Sequence, residues 1–282
     1  GAAVDRDNNV ARIPEPKVVH VLKRGDINKP GAVVRPGAFA ALPAVPGRFD
    51  LADPKSESAR RVALATWLTH PANPLTWRSI VNRVWHYHYG RGICDTPSDF
   101  GRMGGEPSHP ELLDWLTLEF RDGGASLKQL HRQLVTTRAY RQTSDAREGA
   151  ARSLEVDSDN RFVGRMPRQR LDAESFRDAV LVASGRLDLT IGGPSIQHFK
   201  TSPGQQLTPK LDYEAYDWEG PGAGRRAIYG FVWRGISDPF MEALDFPDLA
   251  LLQPARGNST SALQALTLFN NQFVLRHAEH LA

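Results

Sequence analysis

Proline and glycine set the limits on what this chain of 282 residues can fold into, because it holds 20 of one and 24 of the other. Between residues 30 and 47 alone stand Pro30, Gly31, Pro36, Gly37, Pro43, Pro46 and Gly47. Proline removes a backbone donor and crowds the preceding turn, so no long helix fits there. Elsewhere the same two residues mark where helices stop and start. A helix opening near Ser56 carries Val62, Leu64, Ala65, Trp67 and Leu68 on its apolar face. It ends at His70, which precedes a proline and so avoids the helical region. A second helix is predicted over about 73–89, with Pro74 in its first turn and Gly90 and Gly92 closing it.

Further along, Ser108-His109-Pro110-Glu111 fits a capping box. The helix it opens should carry Leu112, Leu113, Leu116 and Phe120 inward, with Trp115 alongside. Ser126 and Gln129 open another through Leu130 and Leu134, and Asp172 caps one through Phe176 and Leu181 to Gly185. Residues 18–22 form a short β-type run, 144–160 read as a loop, and 186–225 as irregular structure. The β-branched and aromatic content of 226–234 predicts a strand. Ser259 or Thr260 opens a last helical segment with Leu263, Leu266, Phe269, Phe273 and Leu275 inward. The expected fold is mainly α: an irregular multi-helix domain with a few short strands and long Pro/Gly-rich loops. Residues 1–17 read as a tail or arm, and 18–282 as a single domain. Its helical core covers about 56–185 and 259–282, with a loop- and strand-rich insertion at about 186–258.

Composition narrows the function classes. The net charge is +3, with acids and bases alternating along most of the chain, so no nucleic-acid partner is expected. Cys94 is the single cysteine, which rules out an intrachain disulfide, a CxxC metal site and a CxxCH haem-attachment motif. No run approaches the roughly 18 apolar residues of a membrane span. The start, GAAVDRDNNV, reads as a cut end with no signal peptide in view.

The densest chemistry lies at 69–115, which holds four of the nine histidines, three of the six tryptophans and the cysteine. Arg78, Asn82 and His86 recur every fourth residue and share one helix stripe, with Trp85 beside it. A cation, an amide and a titratable ring in line suit an acidic or polyhydroxylated ligand. They suit equally a polar network tying the helix to the following loop, with Arg78 and Arg83 paired to Asp95 or Asp99. His86 and His88 diverge by about 200° on a helix, so no metal motif results. Asp95, Asp99 and His109 are candidates for acid–base work. The DFG at 99–101 lacks every accompanying kinase motif. Arg161, Arg165, Arg168 and Arg170 form a basic cluster that could meet a sulfated or phosphorylated polymer, or pair with Asp172, Glu174 and Asp178. Tyr213, Tyr216 and Trp218 could stack on sugar rings or anchor a loop.

The run HPANPLTWRSIVNRVWHYHYGRGICDTPSDFGRMGGEPSHPELLDWL carries a family resemblance. It continues in SLKQLHRQLVTTRAYRQTS at 126–144, DNRFVGRMPRQRLDAESFRDAVLVASGRL at 159–187, EALDFPD at 242–248 and TSALQALTLFNNQFV at 260–274. Together these resemble the planctomycete-rich PSD1 family, DUF1553, in collinear order over about 20–282. RGNST at 256–260 departs from the usual Arg-Asn/Asp-Val-Thr-Thr run. The resemblance implies an exported or periplasmic module set beside companion domains such as DUF1549 or cytochrome c. It carries over no catalytic residues, and it leaves the cofactor unknown, with no haem-attachment motif in this chain. The expectation is a non-catalytic module binding a polysaccharide or a companion domain through Arg78, Asn82, Trp85 and His86. The alternative is a carbohydrate-active enzyme using Asp95, Asp99 and His109.

Overall fold

The computed structural model describes residues 15–145, 151–204, 209–233, 235–249, 251, 253 and 255–281. Most of the expected tail, 1–14, lies outside the described residues. The chain falls into two compact units divided between Pro167 and Arg168. It is mainly α, as the sequence leads one to expect, with two small antiparallel sheets among the described residues.

In the first unit, β1 (Val19–Leu22) pairs with β2 (Pro30–Val34), His20 opposite Val33. The helices are α1 (Glu57–Leu68), α2 (Pro74–Tyr89), α3 (Pro110–Asp122), α4 (Leu127–Val135) and α5 (Ala151–Val156). Their ends are fixed locally. The side chains of Ser56, Asn73 and Ser126 each accept a free first-turn N–H, from Ala59, Leu75 and Gln129. Losing such a cap costs about 1 kcal/mol. Gly90 ends α2 at φ 74, a left-handed conformation that a side chain would strain. Helix α5 lies within the stretch expected to be a loop, of which 146–150 are outside the described residues.

Helices α2, α3 and α4 enclose the core of this unit. Val81, Val84, Trp85 and Tyr89 meet Leu113, Leu116, Phe120, Leu130 and Leu134. Each fully buried side chain of this size contributes roughly 1.5–3 kcal/mol. Not every apolar stripe finds a cover. In α1 Trp67 is buried, but Val62 is 64% exposed and Leu64 and Leu68 are also exposed. Trp115 likewise stands half out of α3. Periodicity shows that a face is apolar, not that another element reaches it.

The capping box at Ser108 does not form. His109 occupies the N-cap position of α3 and makes no side-chain cap bond. Ser108 instead donates both its N–H and its hydroxyl to the Ile93 carbonyl, at 2.8 and 3.3 Å. The Ser108 oxygen is turned to the Ile93 carbonyl and the His109 ring, away from the first-turn N–H groups that a cap would have to accept.

The second unit holds α6 (Ala173–Ala183), β3 (Lys200–Ser202) paired with β4 (Lys210–Asp212), and α7 (Pro239–Ala243), α8 (Ala262–Asn270) and α9 (Gln272–Ala278). The strand predicted at 226–234 is instead a 3-10 turn, Ala227–Tyr229, followed by a single parallel bridge from Gly230 to Ile196. The Asp178 carboxylate accepts the Ala227 N–H at 2.6 Å, which bends the chain where a strand would continue. Arg234 lies outside the described residues. Ser261, one residue beyond the expected start, forms the capping box of α8 with Gln264. Asn271 then breaks the segment and caps α9. Phe273 is buried with Gln264 and His277, whereas Leu263, Leu266, Phe269 and Leu275 are exposed rather than inward.

Candidate functional site

The 78–109 stretch folds into a tightly bonded hub. Asn82, fully buried, grips the backbone of Cys94 at both ends: Nδ2 donates to its carbonyl and Oδ1 accepts its N–H, each at 2.8 Å. A Cβ on Gly92 would fall 2.4 Å from the Cys94 carbonyl oxygen and 2.7 Å from the Asn82 amide, so the clip closes only over glycine. Arg78 pairs with Asp114 across to α3, not with Asp95 or Asp99. Trp85 stacks on Tyr89 in the core, centroids 4.1 Å apart. His86 is half-buried, and burial holds its imidazole below the usual range.

The acid–base candidates do not converge. Asp95 is exposed and pairs with Arg91 at 2.7 Å, a bond that lowers its pKa. Asp99 is exposed and accepts the Gly101 N–H. His109 bonds Ser108 and packs edge-on against Phe162. Among the described residues no hydrogen bond joins any two of Asp95, Asp99 and His109. A depression here, beside Trp85, Asp95 and Ser108, measures about 20 Å³, room for a water.

The basic cluster divides between the units. Arg161 donates to the Glu106 carbonyl, and Arg165 to the Asp157 and Ser158 carbonyls. Arg168 and Arg170 fall in the second unit, where Arg170 bonds the Ser259 carbonyl and the Gln264 side chain. The carboxylates expected as partners are engaged elsewhere: Asp172 caps α6, Glu174 holds Arg256 through two bonds of 2.6 and 2.7 Å, and Asp178 meets Arg226.

A site with the geometry of a ligand pocket lies in the second unit. Helix α6 buries Ala173, Arg177 and Leu181 at four-residue spacing, so an arginine enters the interior on an apolar stripe. Arg177 is 2% exposed. It donates to the Arg225 carbonyl at 2.7 Å and the Ala223 carbonyl at 2.9 Å, and its guanidinium lies over the Phe273 ring. Its remaining bond meets Nε2 of His198 at 3.3 Å. Arginine can only donate, so Nε2 accepts and the neutral ring carries its proton on Nδ1. Burial, then the Arg177 charge, hold the His198 pKa down to about 3. Tyr216 and Trp218 pack around this imidazole as anchors.

Arg177 and His198 form one wall of a cavity of about 420 Å³, within the ~300–1,000 Å³ usual for small-molecule sites. The other walls are Tyr213, the apolar run Phe231, Val232 and Trp233, and the segment from Ser237 through Asp238, Met241 and Glu242 to Phe246 and Asp248. Asp238 caps α7 through one oxygen, Oδ1, which accepts the Phe240 and Met241 N–H groups. Burial raises its pKa against the pull of those bonds. Burial and the nearby Asp238 charge push the Tyr213 phenol up to about 12. His198 and Asp238 thus line one enclosure with pKa values displaced in opposite directions.

Sequence reasoning missed Arg177, His198 and Asp238. An arginine at i+4 between Ala173 and Leu181 was a readable signal; His198 and Asp238 sit in irregular chain and gave none. Tyr213 alone of the three singled-out aromatics at 213–218 faces the cavity. Among the described residues no three histidine, cysteine or acidic side chains converge as metal ligands, and no helix is long and apolar enough to cross a membrane.

A family model described as PSD1, protein of unknown function (DUF1553), matches residues 60–282. No curated protein and no solved structure matches the chain.

Proposed function

Since the chain belongs to the PSD1 family, which is described as of unknown function, we propose its role from the cavity itself: it is a binding module that takes a sugar ring into the second unit. The observation that carries this reading is the pairing, in one lining, of an apolar aromatic wall, Phe231 and Trp233, with a few polar side chains, His198 and Asp238 among them. A pyranose has an apolar C–H face that lies on an aromatic ring and a rim of hydroxyls that need fixed donors and acceptors. The stripe at Arg78, Asn82, Trp85 and His86 supports binding less well, because Arg78 and Asn82 already spend their polar groups on Asp114 and Cys94. By the family resemblance, the setting is an exported protein with companion domains of DUF1549 or cytochrome c type.

The test is calorimetric titration of the protein with neutral and charged mono- and oligosaccharides. Binding that falls at least tenfold in Trp233→Ala, with an unchanged circular dichroism spectrum, is expected. A panel without any binding, or binding indifferent to Trp233, overturns the reading. A second reading is catalytic and draws on the opposed pKa displacements of His198 and Asp238. Asp238 would then exchange the proton and neutral His198 would donate a hydrogen bond. Reducing-end release from polysaccharides, abolished in Asp238→Asn, would establish it.

A further inference from the structure

The charges around the cavity are unequal. Asp238 and Glu242 line it along one segment, while Glu174 is neutralised by its two bonds to Arg256. Arg177 is the one cation among the described lining residues, and its donors are committed to two carbonyls and His198. Asp238 is the more enclosed of the two acids, and among the described residues no hydrogen bond reaches its Oδ2, while Oδ1 caps α7. A second polar group also waits on a ligand. His198, only 8% exposed, has no hydrogen bond at Nδ1 among the described residues, and Gly230 keeps a side chain off that edge of the ring, since a Cβ there would stand 3.6 Å from Nδ1.

We propose that the ring bound in this cavity carries a protonated amine, which Oδ2 of Asp238 receives against the aromatic wall of Phe231 and Trp233. The proposal rests on the sugar-binding reading above and specifies an amino sugar within it. An ammonium gains from a half-buried carboxylate, where the low dielectric strengthens the pair, and from the negative faces of aromatic rings. A neutral hydroxyl draws on neither net charge. A uronic acid or a sulfated sugar would face the Asp238 carboxylate, while Arg177, the one cation among the described lining residues, has its bonds already made.

The experiment compares glucosamine with glucose and N-acetylglucosamine, three rings that differ at one substituent, by calorimetry on the whole chain. Glucosamine is expected to bind at least tenfold more tightly than either. Asp238→Asn should erase the difference between glucosamine and glucose, because asparagine caps α7 as aspartate does and lacks the charge. Equal binding of all three sugars overturns the amine and leaves the sugar cavity standing. Where no sugar binds, cyclohexylamine against cyclohexanol reads the charge preference alone. Tighter binding of cyclohexylamine, lost in Asp238→Asn, keeps the amine without the sugar, and indifference overturns it.

Discussion

The two units bury polar groups in opposite ways. In the first, Asn82 is sunk in a leucine- and tryptophan-lined core, and both ends of its amide are matched to one residue, Cys94. In the second, a full positive charge is sunk instead: Arg177 is held by carbonyls, an imidazole and a ring face, with its nearest carboxylate oxygen, on Asp178, 3.9 Å away. The first arrangement is closed, and the space beside it fits a water. The second keeps a cavity of about 420 Å³ open against it. A density of Trp, His, Asn and Arg in sequence therefore marked the place where the chain needed most internal bonding. The capacity to hold something else arose where a charge is buried without being cancelled.

Arg177→Met puts the largest strain on this comparison. It strands the Arg225 and Ala223 carbonyls and Nε2 of His198, so a loss of about 3–5 kcal/mol is expected in chemical denaturation. Hydrogen exchange should place that loss in 168–282 and spare the amides of α2 and α3. Equal loss of protection on both sides would end the contrast.

Asn82→Ala is the counterpart in the first unit. It leaves the Cys94 N–H and carbonyl unmatched, at about 2–4 kcal/mol. The loss should appear in α2 and the loop after it, with the His198 titration unchanged. An undiminished urea midpoint would show that the clip is dispensable.

The smallest effect is one of pH. The folded pKa of His198, about 3, lies below the ordinary histidine value of 6.5, so the unfolded chain takes up the proton first. Its contribution to stability is complete above the ordinary value and is lost as pH falls from there towards about 3. Acidification from about pH 6.5 to about pH 5 should cost the second unit about 1.5 kcal/mol. His277, also held down by burial, adds in the same direction. Asp238, whose pKa is raised, works against both, since its contribution is present at low pH and lost as pH rises through the folded pKa. His198→Gln should flatten the slope in part while its amide preserves an acceptor for Arg177. A slope as steep as that of the parent chain would detach His198 from the acid sensitivity.

Helix ends were the most legible part of the fold. Asn73 with Pro74, Gly90, Ser126 and Asp172 act within one turn of themselves, so their effect is written in neighbouring residues. Apolar faces were legible as faces but not as interiors: Leu113 and Leu116 are covered, Val62 and Leu263 are not. Ser108 shows the same limit on a single hydroxyl. Its sequence context is that of a cap, and a carbonyl fifteen residues back along the chain and the His109 ring turn the hydroxyl away from the helix.

The sequence by itself determined the mainly helical class, most helix boundaries, the family and the absence of a cysteine framework. Each of these depends on a local preference or on a residue count. Only the tertiary structure decided that Arg78 meets Asp114, that the basic cluster parts between two units, and that Arg177, His198 and Asp238 share a cavity. The reason is physical. Burial and charge proximity displace a pKa and shape an empty space, and both are set by chain segments that pass near one another in the folded state whatever their separation in sequence.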